Sequence, residues 1–142
     1  MKANRFRFRA WSKDLKLMAY DVQNEYDTIN GVRFTDGTEP GESSFFSYLQ
    51  DEDYVVMQST GLLDNTKDGK EIFEGDVVKC RMNFENKSLP HMGEVVYMNE
   101  FGAFATKNQA GETLLHHHML NTFEIIGNKF ENPDLLTRLN PV

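Results

Sequence analysis

The stretch STGLLDNTKDGKEIFEGDVVKC, residues 59–80, decides how this chain is read. It is dense in Gly, Asp, Lys and Glu and runs into a short apolar segment. Two readings compete, a cation-binding loop and a connector of tight turns between strands. Counted from Asp64, the residues Asp64, Thr66, Asp68 and Gly69 imitate the front of a calcium-binding helix–loop–helix loop. The position that needs a bidentate Glu is Gly75, and the flanks read as strands, so that loop does not close. The turn reading explains more. Asp68-Gly69 is a strong turn dipeptide, and Glu74-Gly75-Asp76 leads tightly into the strand DVVKC, with Gly75 permitting a backbone conformation that a Cβ resists. On this reading a substitution at Gly75 damages folding, whereas charge removal at Asp64 does little.

Beyond this connector come short apolar runs rich in β-branched and aromatic residues: DVVKCR, GEVVYM, AFATK and TFEIIGN. Each is bounded by turn residues, and no helical periodicity separates them. This spacing predicts a small antiparallel barrel or sandwich. The tail ENPDLLTRL places Asn132 as N-cap, Pro133 at the first helical position and Asp134 in the first turn of a short helix. Upstream, DYVVMQSTGLLD predicts a strand from Tyr54 to Ser59 that ends at Gly61. The segment RFRFRAW alternates, with Arg5, Arg7 and Arg9 on one side of a strand and Phe6, Phe8 and Ala10 on the other. A polar turn, Ser12-Lys13-Asp14, returns it as a hairpin into Leu17-Met18-Ala19-Tyr20. The cluster TDGTEPGESS, residues 35–44, reads as an exposed loop, and SFFSYLQ after it fits either a strand or a helical turn.

The 142 residues are enough for one domain, or for two small subdomains sharing a core, and 12% aromatics exclude a disordered chain. A single cysteine, Cys80, excludes an internal disulfide and fits a reducing cytoplasm. No apolar segment approaches the length of a membrane span, and MKANRFRFRAW lacks the apolar region of a signal peptide, so the expected protein is soluble in a cell. The formal net charge is −7, unevenly spread. Lys2, Arg5, Arg7, Arg9 and Lys13 stand without an acid among them, whereas residues 14–57 carry many acids against Lys16 and Arg33.

Three constellations carry residue types suited to chemistry. His116, His117 and His118, read as a strand, point to alternate faces, so two at most could meet one metal, and no third ligand is named by spacing. Ordinary, partly exposed histidines are the preferred reading. Cys80 stands beside Arg81, which can lower a thiol pKa, but it shares a face with Val78 and is expected to be buried and inert. Arg5, Arg7 and Arg9 could grip phosphates with Trp11 or Phe6 stacking on bases. Pairing with the acidic residues 14–57, within a chain or between subunits, is preferred because most of the surface is acidic. No catalytic residue, cofactor or metal is expected, and no small-molecule ligand is named.

The pieces FRAW with Met18, VMQSTGLLDNTKDGKEIFEGDVVK, GEVV followed by GAF, and FEIIGNKFENPDLL resemble the YopX family, small proteins of bacteriophages and prophages. The resemblance spans nearly the whole chain. It departs at Ser59, where an aromatic is usual, and in the slightly longer turn DNTKDG. It implies a mainly β protein, with an N-terminal β subdomain over residues 1–58 that includes the acidic loop region. A C-terminal unit similar to an SH3 barrel, over residues 59–142, carries the short helix. Self-association is a further implication, and no catalytic residues carry over. The expected protein is a phage or prophage accessory factor acting in the host cytoplasm, non-enzymatic, homo-oligomeric and not membrane-bound. The alternative is a nucleic-acid-associated protein using Arg5, Arg7 and Arg9.

Overall fold

A computed structural model describes residues 6–24, 45–117 and 119–140. Arg5, His118 and the loop expected at residues 35–44 lie outside the described residues. The described chain is mainly β, with nine strands and short helices. It divides into two units, Asn4–Ser59 and Thr60–Val142.

In the first unit, β1 (Phe8–Ser12) pairs antiparallel with β2 (Leu17–Tyr20) on one side and with β3 (Tyr54–Leu63) on the other. The predicted hairpin is present. Its turn is closed by Ser12, whose hydroxyl donates to Asp53 Oδ2 at 2.7 Å and accepts from the Leu15 amide at 3.0 Å. Asp53 Oδ1 accepts from the Asp14 amide at 2.7 Å. The Ser12 hydroxyl is the main reason that the Asp53 carboxyl lies below its ordinary pKa. Within the ambiguous segment SFFSYLQ, the described residues form a helix, α1 (Phe45–Gln50), which rests its aromatics on the sheet: Phe45 on Phe8 at 4.8 Å and Tyr48 on Tyr54 at 4.7 Å between ring centroids. β3 does not stop at Gly61. It runs to Leu63, with Gly61 at φ 82°, and its last residues pair with β4 (Glu71–Phe73) in the second unit.

The second unit is built on β5 (Asp76–Phe84), β6 (Lys87–Met98), β7 (Ala103–Asn108), β8 (Gly111–Leu114) and β9 (Leu120–Asn128). They form one antiparallel sheet in the order β8-β7-β6-β5-β9, curled into a half-barrel. The β5–β6 hairpin turns on Glu85 and Asn86, both at positive φ (51° and 65°), the two-residue turn whose twist suits a hairpin. Successive residues of β5 point to opposite faces, so Val77 and Val78 enter two different clusters. Val78 packs with Ile72, Val95 and Leu115 on one face. Val77 packs on the other with Leu135 and Leu139 of α2 (Asp134–Leu139), which are four residues apart and so share one side of that helix. An apolar strand buried on both faces explains why DVVKC does not alternate polar with apolar.

The capping prediction for α2 needs correction. The helix has no side-chain cap; Asn132 Oδ1 turns back to accept the Asn128 amide at 3.1 Å, and the Asn132 carbonyl accepts from Leu135. Asn128 takes the larger share of the turn, its Oδ1 accepting from the Phe130 and Glu131 amides. This chain reversal crosses β9 closely. A Cβ on Gly127 would lie 2.5 Å from Asn132 Oδ1 and 2.7 Å from Leu135 Cδ1.

The opening stretch forms the expected turns, with one reversal of emphasis. Gly75 has φ 86°, its amide donates to the Val95 carbonyl and its carbonyl accepts from Lys129, while the buried Asp76 carboxylate accepts from the Phe73 amide at 2.8 Å. Asp64 is not a dispensable surface charge. It is 5% exposed, and its Oδ1 accepts from the Thr66 hydroxyl (2.6 Å), the Thr66 amide (3.2 Å) and the Lys70 amide (2.8 Å). Its Oδ2 accepts from the Ile125 amide of β9 at 3.3 Å. Burial pushes this carboxyl up, but the hydrogen bonds from Thr66, Ile125 and Lys70 together outweigh it and hold the pKa below the ordinary value.

Three outcomes are expected. Asp64→Ala leaves those donors without their acceptor and should cost about 2–4 kcal/mol in denaturant unfolding, reversing the sequence expectation. Because the folded pKa is depressed, this stability is present above the ordinary carboxylate pKa and is lost as pH falls through the folded value; the melting difference between wild type and Asp64→Asn should therefore shrink as the pH is taken below the ordinary carboxylate range. Gly127→Ala should destabilise by about 1–3 kcal/mol through the collision with Asn132 and Leu135, read as a lower thermal midpoint.

Candidate functional site

The arginine ladder is not an open cationic face among the described residues. β1 begins at Phe8, and four of its residues, Arg9 to Ser12, are buried, so the simple alternation predicted for RFRFRAW fails there. Arg9 is 2% exposed. Arg7 binds Asp21, with Nε at 2.9 Å and the terminal nitrogen at 2.8 Å from Oδ1. Asp21 is one of the acids of residues 14–57. Phe6, proposed as a stacking ring, is exposed and precedes the strand.

The other sequence candidates take different places. Asp64, the first residue of the calcium-like pattern, directs its carboxylate at N–H and O–H donors of its own chain, which is the environment of a bound anion rather than of a cation ligand. His116 and His117 lie in the turn between β8 and β9, not on a strand. His117 Nδ1 accepts the Met119 amide at 3.2 Å, and its backbone joins Leu114 and Leu120, so its ring serves the turn. Among the described residues, no three His, Cys, Asp or Glu side chains converge as a metal site. Cys80 is buried, and burial pushes its thiol up to about 11, leaving it protonated at neutral pH.

A feature that sequence reasoning missed lies beside Cys80. A cleft of about 590 Å³ in the second unit is lined by Lys79, Cys80 and Arg81 of β5, by Pro90, His91 and Met92 of β6, by Thr122 of β9 and by Arg138 of α2. Its position follows from the strand register. Lys79 faces Glu124 and Arg81 faces Asn121, so Thr122 and Phe123 together oppose Cys80 alone, a β-bulge. At the bulge Thr122 takes φ 55°, a left-handed conformation that a β-branched residue seldom adopts. His91 stands with Nε2 2.9 Å from Thr106 Oγ1, and burial lowers its pKa, favouring the neutral ring. Lys79 pairs with Glu124 at 3.2 Å, and Arg81 donates through Nε to Ser88 Oγ at 3.0 Å and through its terminal nitrogen to the Ser88 carbonyl. The only sequence signal was Lys and Arg two apart in a strand, since Arg138 joins them from another element.

Comparisons with known proteins agree with this architecture. No curated protein matches the chain. Among solved structures, protein EF1440 from Enterococcus faecalis is 28% identical, with 92% of this chain and 96% of that one covered at a TM-score of 0.52. The protein yopX from Bacillus subtilis, 19% identical over 94% of this chain and 97% of its own, shares the fold at a TM-score of 0.55. The family model described as YopX protein matches residues 7–137. Across both units, from the first strand to the last helix, the chain belongs to the YopX family.

Proposed function

We propose that the protein is a non-enzymatic interaction module that self-associates, with β2 as the surface by which two copies meet. The carrying observation is the state of that strand. β2 is the edge of its sheet in the order β2-β1-β3-β4, and no strand pairs with its outer side among the described residues. An edge presents a row of backbone donors and acceptors that a second strand can complete. Around this edge stand large apolar side chains in solvent: Leu15 at 66%, Leu17 at 62% and Tyr20 at 54% exposure. Antiparallel pairing of two identical edges about a two-fold axis is self-complementary, so one strand suffices for a closed dimer. The turn beside it carries Lys13, Asp14 and Lys16, charges of both signs that can pair across such an axis.

The non-enzymatic part of the reading is supported by the use of the reactive groups. The one thiol is protonated, and the His117 ring holds a turn. A phage or prophage accessory role in a bacterial cytoplasm is part of the same proposal and rests on the family. The alternative, nucleic-acid binding through Arg5, Arg7 and Arg9, has less behind it, because Arg9 is buried and Arg7 is held by Asp21.

Light scattering after size exclusion provides the test. The wild-type chain should elute above the 16.4 kDa monomer, and Leu17→Lys, a change at an exposed position, should return it to monomer with unchanged circular dichroism. A wild-type protein that stays monomeric at every concentration overturns the proposal, as does a Leu17→Lys variant that assembles normally.

A further inference from the structure

We propose that the cleft beside the β9 bulge binds a phosphate monoester carried on a small organic molecule. Every residue of the cleft belongs to the second unit, so the site is independent of the β2 edge. Its volume, about 590 Å³, is that of small-molecule pockets.

The ligand class follows from charge and donor accounting. The cleft gathers Lys79, Arg81 and Arg138 in a chain of net charge −7. Lys79 is answered by Glu124, which leaves the group with a net excess of two positive charges. A phosphate monoester carries about −1.5 to −2 at neutral pH and so matches that excess, whereas a single carboxylate would leave a cation unanswered. The donors show the same surplus. Arg81 uses Nε and one terminal nitrogen on Ser88, which keeps the rest of its fork available. Lys79 uses one contact, on Glu124. Arg138, exposed in the last turn of α2, makes no ion pair or hydrogen bond through its side chain among the described residues. Two guanidinium forks and an ammonium, all donors and none acceptors, suit the several oxygens of a phosphate. Pro90 and Met92, which pair with Arg81 and Lys79 across the β5–β6 ladder, add apolar surface to the same cleft for the organic part of the ligand to cover.

The backbone supports the same place. Cavities of this kind are commonly shaped by bulges, and the left-handed Thr122 marks the point where β9 leaves regular pairing with β5. The Thr122 hydroxyl is held by the Asn121 carbonyl at 2.6 Å, so its position at the cleft is set before any ligand arrives.

The test is a titration of the isotope-labelled full chain, followed by amide shifts. The probes are a sugar phosphate, a nucleoside monophosphate, the same sugar without phosphate, and a short single-stranded oligodeoxynucleotide. Saturable shifts confined to Lys79, Arg81, Thr122 and Arg138 with either phosphate ester, and none with the bare sugar, are expected. The relative strength of the two esters identifies which kind of organic group the Pro90 and Met92 wall prefers. The double variant Arg81→Ala, Arg138→Ala changes two exposed side chains and should weaken binding by about tenfold or more with unchanged melting behaviour. Absence of saturable shifts up to about 10 mM ester, equal affinity in the double variant, or binding of the oligonucleotide without binding of either ester would each overturn the assignment.

Discussion

The buried carboxylate of Asp64 ties the connector to the sheet. A charge that is 5% exposed is tolerated because three donors from Thr66 and Lys70 close a turn around one of its oxygens, while the Ile125 amide reaches the other. The connector between β3 and β4 is thereby fastened to β9, a strand far along the chain. The neighbouring amide of Asn65 donates to the Phe123 carbonyl at 2.7 Å and reinforces the same attachment. Placing β4 in turn delivers Ile72, fully buried, to the cluster with Val78, Val95 and Leu115.

A second constraint follows from β5, which must bury both of its faces. One face closes over the interior of the half-barrel, and the other requires α2, because Val77 would otherwise stand in water. The helix is brought down by a tight reversal in which Gly127, Asn128 and Asn132 interlock. β9 follows β5 only by inserting extra residues at two places, and these irregularities bend it. The cleft with its three cations lies at one of them. A groove on this sheet is thus a by-product of how the strand is curved, and its charge comes from two separate elements, β5 and α2.

Charge is redistributed between the sequence and the folded chain. The basic N-terminal segment looks like a binding face when read linearly, yet among its described members one arginine is buried and another is held by Asp21. Positive charge reappears in the second unit, where Lys79, Arg81 and Arg138 line a cleft. Acids that look like ligands, Asp64 above all, serve as acceptors for backbone amides. Internal hydrogen bonding thus accounts for the most conspicuous charged motif.

The chain's mainly β character, the hairpin after Ser12, the turns at Gly69 and Gly75 and the short final helix were legible because each depends on neighbours in sequence: a side-chain period, a turn dipeptide, a positive φ that glycine accepts. The family was legible in the same stretch, through its turn residues and the apolar strand they precede. The helix at SFFSYLQ, the run of β3 through Gly61, the hairpin turn at Glu85-Asn86 and the back-turned Asn132 were not legible, since each is settled by pairing or packing from elsewhere. The cleft was less legible still, because Arg138 stands 57 residues from Arg81 in sequence and meets it only through the packing of α2 on the sheet. Local backbone chemistry is written in adjacent residues, so the sequence by itself determined strands, turns and family. Which charges are buried, paired or gathered into a cleft depends on residues far apart in the chain, as Asp64 and Ile125 are, and only the tertiary structure decided it.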